Sequence, residues 1–338
     1  MRGTIIHGPR DIRLEERPDP TIVEPTDALI RTVATCVCGS DLWRYRGIQD
    51  VPRPTPIGHE YVGVVEQVGR DVTTVRPGQF VVGGFLTSDN TCPLCQAGAH
   101  ANCQHVTGYD GCQAELIRVQ NADGTLLATP EQPTEDLVPG LLALSDVMGT
   151  GWHAAVCADV RPGGTVVVVG DGAVGLCGVL AASELGAERI IAMSRHTDRQ
   201  AIATAFGATD IVAERGDAGV EAVRDLTRGI GADSVLECVG TDESVVQALR
   251  SARPGGMVGW VGVPHVTDIP QEHMFWRNVG LRGGPAPVRA YLPDLLQRVW
   301  ERRIDPGTVF DLTLPLSEVA EAYAAMDERR SVKALLRP

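Results

Sequence analysis

Two features are missing from this 338-residue sequence: a long apolar segment and an excess of positive charge. The apolar run at Thr165–Val169 falls far short of the roughly 20 residues that a membrane-spanning helix needs. The 30 Lys and Arg residues are outnumbered by 43 Asp and Glu, which gives a formal net charge of −13. Because a negative surface repels phosphate groups and anionic lipids, we expect neither a nucleic acid nor a membrane as a partner.

The apolar core of a secretion signal is also missing, since residues 1–20 are charged. We therefore expect the protein to be cytoplasmic, in a compartment where thiols stay reduced. The nine cysteines then indicate metal ligands or small buried side chains rather than disulfides. Aromatic residues make up only 4% of the chain, so few side chains are available as walls of a substrate pocket.

The patterns that are present change along the chain. In the first half, short apolar runs such as Tyr61–Val68 alternate with Pro and Gly, which is typical of a partly open β-barrel. From Thr165 onward, buried-strand runs alternate with helical segments, and the last predicted strand of this region is Met257–Val263. This alternation predicts βαβ units and hence an α/β domain with a doubly wound parallel sheet.

A glycine-rich turn follows the first strand of the alternating region. The segment Gly170-Asp171-Gly172-Ala173-Val174-Gly175 fits the GxGxxG pattern and stands between a strand and a helix. Its glycines allow a tight turn, and the helix N-terminus offers N–H groups to a pyrophosphate. We therefore predict that a dinucleotide binds at Gly170, Gly172, Ala173, Val174 and Gly175. The alternative is an ordinary turn between strand and helix.

The end of the next strand selects between the two nicotinamide coenzymes. A site that prefers NAD usually carries Asp or Glu there, about 20 residues after the turn, to bind the ribose 2′-hydroxyl. This chain has Ser194-Arg195-His196 instead, with no carboxylate to repel a 2′-phosphate and with Arg195 to neutralise it. These residues favour NADP over NAD. The alternative is that Arg195 is a solvated surface residue.

A polar, glycine-rich lobe at residues 86–113 carries four of the cysteines. The pattern Cys92-x2-Cys95-x7-Cys103 would supply three thiolates to a tetrahedral structural zinc. Asp89 and Cys112 are the two candidates for the fourth ligand. A lobe without a core needs such a metal, because the free energy of metal binding then becomes free energy of folding. The alternative is a loop with three free thiols.

A second, sparser group of candidate ligands consists of Cys38, His59 and Glu60. Asp146 lies in an apolar stretch before the alternating region, where a lone carboxylate is costly unless it is paired or bound to a cation. A catalytic zinc takes three protein ligands and keeps one position open. On these residues alone, a core histidine and a buried cysteine fit as well as a metal site.

Together these motifs resemble the zinc-dependent medium-chain dehydrogenase/reductase family, and the alcohol dehydrogenases in particular. The resemblance covers nearly the whole chain. It is carried by Cys38-Gly39-Ser40-Asp41, Gly58-His59-Glu60, the cysteine lobe, the GxGxxG turn and Gly259-Trp260-Val261-Gly262-Val263-Pro264, in the family's order. It implies a GroES-like, partly open β-barrel catalytic domain together with a Rossmann domain.

The resemblance also implies the metal ligands. Cys38 and His59 would bind a catalytic zinc, and Asp146 would be the third ligand, where many members have cysteine. Glu60 would approach this metal or exchange onto it. In the lobe, Asp89 stands where many members have the first of four cysteines, which implies a weaker or an empty structural site.

Further roles implied by the resemblance surround the catalytic metal. Asp41 would orient the ligand His59, and Ser40 would contact the substrate oxygen and relay its proton. Trp43 stands where several members carry a histidine that passes this proton to solvent, so the relay beyond Ser40 stays open. The resemblance places Trp43, Phe85 and Tyr109 at the substrate pocket, and the alternative for Phe85 and Tyr109 is that they are core residues. It adds Val239, Val261 and Val263 to the coenzyme site.

The implied domains are a catalytic domain at 1–148, a coenzyme domain at 149–286 and a return to the catalytic domain at 287–338. The implied function is hydride transfer between NADP(H) and a secondary alcohol, a ketone or an aldehyde. The implied assembly is a homodimer or homotetramer that pairs sheet edges near Met257–Val263. The alternatives are an NAD-dependent polyol, amino-alcohol or formaldehyde-type dehydrogenase, a dinucleotide-binding sensor without enzymatic activity, and a zinc-free relative of quinone reductases.

Overall fold

The structure, a computed structural model, describes residues 1–109 and 111–338. The chain forms two compact units, one of Met1–Asp146 with Pro287–Pro338 and one of Val147–Ala286. All nine cysteines lie within the described residues, and none of them forms a disulfide. No helix in the described part of the chain is long and apolar enough to cross a membrane.

The first unit begins with short strands and short helices. In chain order these are β1 (Arg2–Gly8), β2 (Asp11–Glu16), β3 (Ala28–Cys36), α1 (Asp41–Tyr45), β4 (Thr55–Pro56), β5 (Tyr61–Val68), β6 (Phe80–Gly83), α2 (Pro93–Gln96), β7 (Leu116–Val119), α3 (Ala122–Thr125), β8 (Leu126–Ala128) and α4 (Val138–Ala143). Single 3-10 turns lie at His100–Asn102 and Glu135–Leu137. Strands β3 and β5 pair antiparallel, with Thr35 opposite Tyr61. A Cβ on Gly63 would lie 2.3 Å from the carbonyl oxygen of Arg31, so this close pairing requires a glycine.

The second unit alternates strands and helices as predicted. Its elements are α5 (Val147–Cys157), β9 (Thr165–Val169), α6 (Ala173–Glu184), β10 (Arg189–Met193), α7 (Thr197–Ala205), β11 (Asp210–Val212), α8 (Gly216–Leu226), β12 (Ala232–Glu237), α9 (Asp242–Ser251), β13 (Ala252–Trp260), α10 (Gln271–Arg277) and β14 (Gly280–Gly283). The strands are parallel in the order β11-β10-β9-β12-β13-β14. The chain moves outward from β9 and then returns to its other side at β12. Open α/β sheets bind ligands at such a reversal, beyond the carboxyl ends of the strands.

The sheet of the second unit is the core of that unit. Val167, Val235 and Val258 are fully buried in three neighbouring strands. Such β-branched side chains suit strands that are covered on both faces. Helix α5 is buried on nearly every side, so it lacks the polar face by which a helix is found in a sequence.

The last segment returns to the first unit. It contains α11 (Val288–Trp300), β15 (Leu312–Pro315), α12 (Val319–Asp327) and β16 (Ala334–Arg337), with 3-10 turns at Pro306–Val309 and Leu316–Glu318. Strand β16 pairs antiparallel with β3, which extends the large sheet to the order β15-β16-β3-β5-β6-β8, with β7 also on β3. A small sheet of order β2-β1-β4 completes the first unit.

One predicted strand differs from the structure. The prediction was Met257–Val263, whereas β13 spans Ala252–Trp260. β13 ends at Trp260, and the backbone N–H of the next residue, Val261, still donates to the carbonyl of Glu237 at 2.9 Å. The free edge expected near Met257–Val263 lies one strand further out, because β14 covers the outer side of β13; the pairing of subunits there stays a prediction.

Candidate metal centres and nucleotide-binding turn

The first candidate site, called here the central cluster, consists of Cys38, His59, Glu60 and Asp146. One ligand atom from each lies within 4.8 Å of the others. Cys38 follows β3, whereas His59 and Glu60 precede β5. Because β3 and β5 are antiparallel neighbours, the end of one strand lies beside the start of the other. Asp146 approaches from the segment after α4, and of the four side chains only that of His59 is partly exposed.

The distances in the central cluster fit a tetrahedral zinc ion. Cys38 Sγ lies 3.7 Å from Asp146 Oδ2, and His59 Nε2 lies 3.3 Å from the same oxygen. Two ligands of one tetrahedral zinc are expected about 3.6 Å apart for sulfur and oxygen and about 3.4 Å for nitrogen and oxygen. The three side chains are therefore already arranged around a position that suits the metal.

The charges of the central cluster also suit a dication. Burial lowers the pKa of His59, but Cys38, Asp41 and Asp146 outweigh burial and raise this pKa well above its ordinary range. Burial and the neighbouring Glu60 raise the pKa of the Cys38 thiol. Without a metal, these groups hold protons that limit the buried negative charge. A bound dication would take the place of those protons.

Asp41 supports the central cluster from α1. Its Oδ1 lies 3.6 Å from His59 Nδ1, and its Oδ2 accepts a hydrogen bond of 3.0 Å from the backbone N–H of Cys38. The amide of Gln113 donates to the same carboxylate at 3.3 Å and to the hydroxyl of Tyr323 at 3.0 Å. Asp41 thus stands where an orienting carboxylate is expected, and Gln113, which sequence reasoning missed, links it to α12.

Glu60 has a cationic partner that sequence reasoning also missed. Its Oε1 accepts a hydrogen bond of 2.7 Å from Lys333 Nζ, and both side chains are 1% exposed. Lys333 also donates to the carbonyl of Val37 at 3.2 Å. Glu60 Oε2 is buried without a hydrogen-bond partner among the described residues. Burial raises the pKa of Glu60 although Lys333 opposes this shift. Lys333 is the single lysine of the chain, which was the one sequence signal for it.

The predicted pocket residues fall in different places. The Phe85 ring lies 6.2 Å from the His59 ring in an edge-to-face arrangement, so Phe85 lies at the central cluster. Ser40 is the N-cap residue just before α1, and its hydroxyl makes no capping bond. Trp43 is half-buried one turn further along α1. Tyr109 packs edge-to-face on Tyr61, and its hydroxyl donates to the carbonyl of Gly84 at 2.5 Å.

The second candidate site, called here the lobe cluster, consists of Asp89, Cys92, Cys95 and Cys103. One ligand atom from each lies within 4.8 Å of the others. The sulfurs of Cys92 and Cys103 are 3.9 Å apart, close to the separation of about 3.8 Å expected for two thiolates of one tetrahedral zinc. Cys112 lies in the apolar core with Tyr61 and Ile117 instead. Of the two candidate fourth ligands, the structure thus brings Asp89 to the three cysteines.

The pKa values of two thiols in the lobe cluster shift in opposite directions. Backbone N–H groups of Gln104 and Cys95 lower the pKa of Cys92. Burial and the neighbouring thiols raise the pKa of Cys95 to about 12. The backbone N–H groups of Asp89 and His105 both donate to Cys103 Sγ at 3.3 Å. A dication bound between the sulfurs would offset the burial that opposes ionisation of Cys95.

Asp89 is held by its neighbours in the lobe. Its Oδ1 accepts hydrogen bonds from the backbone N–H groups of Thr91 at 2.8 Å and Cys92 at 2.9 Å. Its Oδ2 lies 2.6 Å from His105 Nδ1. Burial raises the pKa of Asp89, but these hydrogen bonds outweigh it and hold the pKa far below its usual range. His105 was missed because its contact with Asp89 depends on the fold of the loop.

The glycine-rich turn joins β9 to α6. Gly170 has a φ of +115°, and a Cβ on Gly175 would lie 1.9 Å from the carbonyl oxygen of Gly170. Both positions therefore require glycine. Helix α6 begins directly after Gly172, and the N–H groups of its first turn have no acceptors within the helix. These groups suit a pyrophosphate.

A carboxylate lies at the end of β10, although the sequence analysis counted none there. It belongs to Asp171 of the glycine-rich turn. Asp171 Oδ2 accepts a hydrogen bond of 2.8 Å from the Ser194 hydroxyl, and Oδ1 accepts one of 3.2 Å from Arg199 Nη1. Arg195 is exposed and His196 is half-buried at the start of α7. The turn and the end of β10 therefore form one network, which the spacing of the residues does not reveal.

The remaining predicted coenzyme residues follow β12 and β13. A Cβ on Gly170 would lie 2.7 Å from Val239 Cγ2, so Val239 lies against the turn. Val261 and Val263 follow the end of β13, and Val263 is 49% exposed. A small pocket here is lined by residues that include Gly170, Met193, Val239 and the unpredicted Arg215. The carboxylate of Glu237 accepts hydrogen bonds from the backbone N–H groups of Val239 at 3.0 Å and Gly240 at 2.8 Å.

Comparisons with known proteins agree with this architecture. Residues 24–131 match the alcohol dehydrogenase GroES-like domain, and residues 173–301 match the zinc-binding dehydrogenase domain. The chain is 36% identical to a probable zinc-binding alcohol dehydrogenase of Mycobacterium tuberculosis, over 100% of this chain and 89% of the relative. It is 31% identical to the NADP-dependent isopropanol dehydrogenase of Thermoanaerobacter brockii, over 96% of this chain and 94% of the relative. It matches the structure of an alcohol dehydrogenase from Thermus sp. ATN1 with a TM-score of 0.94, at 32% identity and 100% coverage of both chains.

The fold and these matches define a zinc-binding oxidoreductase of the alcohol dehydrogenase type. The chain belongs to the zinc-dependent medium-chain dehydrogenase/reductase family. The predicted fold class, a Rossmann domain with a GroES-like barrel, is thereby confirmed. Membership implies zinc and a nicotinamide coenzyme.

Proposed function

We propose that the protein is a zinc-dependent alcohol dehydrogenase or carbonyl reductase that transfers a hydride between NADP(H) and a secondary alcohol, a ketone or an aldehyde. The observation that carries this proposal is the central cluster, whose ligand atoms lie within 4.8 Å of one another and in which Asp146 Oδ2 lies from Cys38 Sγ and His59 Nε2 at the separations expected around a tetrahedral zinc. The Thermoanaerobacter brockii relative, named an NADP-dependent isopropanol dehydrogenase, supports both the substrate class and the coenzyme.

Cys38, His59 and Asp146 are the proposed ligands of the catalytic metal. When bound there, zinc supplies a Lewis acid that lowers the pKa of a substrate alcohol or polarises a carbonyl. Asp41 positions His59 through its carboxylate, which lies 3.6 Å from Nδ1. Lys333 holds Glu60 by a buried hydrogen bond of 2.7 Å, so Glu60 stays beside the ligands.

Ser40 is the proposed acceptor of the substrate's hydroxyl proton, since its own hydroxyl makes no capping bond. Trp43 and Phe85 shape the substrate side of the site, and the Phe85 ring lies 6.2 Å from the His59 ring. Tyr109 contributes indirectly, because its hydroxyl donates a hydrogen bond to the carbonyl of Gly84 and so fixes the segment that precedes Phe85.

The second unit supplies the coenzyme site in this proposal. The turn at Gly170–Gly175 binds the pyrophosphate, and Arg195 neutralises the 2′-phosphate. Val239 packs against the turn, and Val261 and Val263 extend the site beyond β13. The bound nicotinamide supplies the hydride acceptor or donor.

A zinc count tests the proposal together with turnover. Cys38→Ala is expected to lose one zinc per chain and its activity, while Cys177→Ala, a change at a buried cysteine outside both clusters, keeps the metal and the activity. Retained turnover and full zinc content in Cys38→Ala would overturn the assignment. Initial rates with NADP and NAD, measured over a panel of alcohols and ketones, test the coenzyme and the substrate class.

One observation favours a second candidate, an NAD-dependent dehydrogenase of a polyol, an amino alcohol or a formaldehyde-type substrate. The Asp171 carboxylate reaches the end of β10, where sites that prefer NAD usually carry an acid. Faster initial rates with NAD than with NADP would select this candidate. Zinc-free protein without turnover on any substrate would favour a dinucleotide-binding sensor.

We also propose that the protein is a cytoplasmic homodimer or homotetramer. The support is the outer strand β14 and the helix that precedes it, α10, on which Phe275 and Trp276 are 73% and 78% exposed. Large exposed aromatic side chains are typical of contact surfaces. Light scattering is expected to give a multiple of 36.0 kDa, and a smaller species for Trp276→Ser.

A further inference from the structure

Asp171 joins three elements of the second unit at one carboxylate. It lies in the turn after β9, it accepts from Ser194 at the end of β10, and it pairs with Arg199 of α7. Asp171 is 8% exposed, and the Arg199 side chain is 14% exposed. Burial alone raises the pKa of Asp171, but the Ser194 hydroxyl and the Arg199 guanidinium outweigh it and lower this pKa below its usual range. The carboxylate is therefore ionised at neutral pH.

The Ser194 hydroxyl and one nitrogen of Arg199 are already engaged by Asp171. The Ser194 hydroxyl has one proton, and it points to Asp171 Oδ2 at 2.8 Å. The Arg199 Nη1 group donates both to Asp171 Oδ1 at 3.2 Å and to the Asp171 carbonyl at 3.4 Å. A 2′-phosphate accepts hydrogen bonds and cannot donate them when it is doubly ionised. Ser194 directly follows β10 and Arg199 lies in the first turn of α7, and Asp171 accepts from the hydroxyl of the first and from Nη1 of the second.

Arg195 differs from Arg199 in this respect. Its side chain is exposed and has no hydrogen-bond or ion-pair partner among residues 1–109 and 111–338. Arg195 can turn to a ligand without breaking a contact, whereas Arg199 must leave a buried ion pair. The local positive charge available to a phosphate is therefore smaller than the three side chains Arg195, His196 and Arg199 suggest.

We propose that Asp171 is a residue that determines coenzyme specificity: it withholds Ser194 and Arg199 from a 2′-phosphate and so limits the preference for NADP to the contribution of Arg195. This inference deepens the proposed function and rests on the coenzyme site described there. It assigns a role in discrimination to the second position of the GxGxxG turn, while the glycines themselves bind either coenzyme.

Binding of two adenosine probes tests the inference without measuring activity. The probes are 2′,5′-ADP, which carries the 2′-phosphate, and 5′-AMP, which lacks it, each titrated calorimetrically into the full chain. Asp171→Asn keeps the shape of the side chain but removes its charge. We expect this variant to bind 2′,5′-ADP about tenfold more tightly, as one added charge-assisted hydrogen bond would give, and to bind 5′-AMP within about twofold of the parent.

Asp198→Asn is the matched control, because Asp198 is an exposed acid on the first turn of α7, outside the network. Equal gains in Asp171→Asn and Asp198→Asn would overturn the inference, since they would show a general loss of negative charge. No gain, or a loss, of 2′,5′-ADP affinity in folded Asp171→Asn would also overturn it. The double variant Asp171→Asn with Arg199→Gln is expected to lose most of the gain.

If Asp171→Asn fails to fold, binding of the same two probes to Arg199→Gln tests the inference instead. It leaves the carboxylate without its cation, and we expect 2′,5′-ADP affinity to fall about threefold or more while 5′-AMP affinity holds. An unchanged ratio of the two affinities would contradict the inference. Arg195→Gln reports separately on the proposed function. If that variant leaves 2′,5′-ADP binding unchanged, the NADP assignment fails. The role of Asp171 is decided separately, by the Asp171 and Arg199 variants.

Discussion

The two candidate metal sites are built in opposite ways. The lobe cluster takes its four ligands from residues 89–103, and its buried apolar surroundings are little more than the three cysteines themselves. The central cluster joins residues as distant as Cys38 and Asp146 and rests on the pairing of β3 with β5. We therefore expect a metal to add much of the stability of the lobe, whereas the barrel already holds the central ligands in place for chemistry.

The largest expected effect is at the central cluster, where loss of the metal should abolish activity and leave the fold intact. Asp146→Asn replaces a charged ligand with a poor one, so we expect the loss of one zinc per chain and a fall in kcat/KM of about a thousandfold or more. The melting temperature should change little, because β3 and β5 keep the site formed. Asp50→Asn, at an exposed acid of the same unit, is the control. If loss of the metal in Asp146→Asn also lowers the melting temperature strongly, the central cluster depends on its metal for folding, and the contrast between the two clusters is wrong.

The lobe cluster should respond in the reverse way. Cys95→Ser is expected to release one zinc and much of a binding free energy on the order of 10 kcal/mol, so residues 86–113 should become sensitive to protease. Limited proteolysis and a zinc count measure this. Cys112→Ala, at the buried cysteine outside the cluster, should keep both metals. A lobe that resists protease after losing its zinc would show that the metal is not structural.

Lys333 tests how far the central cluster depends on distant packing. Lys333→Met leaves the buried Glu60 without its cation, and we expect this to lower the free energy of unfolding by about 3–5 kcal/mol. Urea denaturation measures the loss. Lys333→Arg keeps the charge and is the matched control, expected to lose less. Equal stability of Lys333→Met and the parent would mean that Glu60 is neutral in the folded protein.

The smallest expected effect is a dependence on pH in the lobe. The pKa of Asp89 lies far below its ordinary value of 3.8, so its ionised form stabilises the fold above that pH, and this stabilisation is lost as the pH falls through the lowered pKa. In zinc-free protein, Asp89→Asn should therefore be less stable than the parent by about 2 kcal/mol at pH 7. Urea denaturation should show this difference shrinking below pH 3.8. A difference that stays constant down to pH 2 would contradict this account.

The sequence predicted the second unit well, because its signals are local. Strand–helix alternation and the GxGxxG turn indicated the parallel sheet, and β9 begins and ends where its apolar run does. Helix α5 was not predicted, since it is apolar on nearly every side and shows no helical period. The end of β13 was misplaced because the apolar residues Val261 and Val263 continue the strand pattern after the chain has left the sheet.

The candidate sites divide in the same way. The spacing of Cys92, Cys95 and Cys103 predicted the lobe cluster, and the resemblance to the family added Asp146 to Cys38 and His59. The domain boundaries and the roles of these residues stay predictions. The partners that decide their chemistry were not predicted: His105 on Asp89, Arg199 on Asp171 and Lys333 on Glu60. Each is a polar contact between residues whose spacing follows no motif.

By itself, the sequence determined the features whose residues are close together in the chain. These are the glycine-dependent turn at Gly170–Gly175, the cysteine spacing of the lobe and the alternation that produces a parallel sheet. Only the tertiary structure brought Cys38 to Asp146 across 108 positions and Glu60 to Lys333 across 273. The physical reason is that strand pairing, here β3 with β5 and β16, sets which distant residues meet. The sequence likewise placed Asp171 in the glycine-rich turn, but only the tertiary structure showed its hydrogen bonds with Ser194 and Arg199.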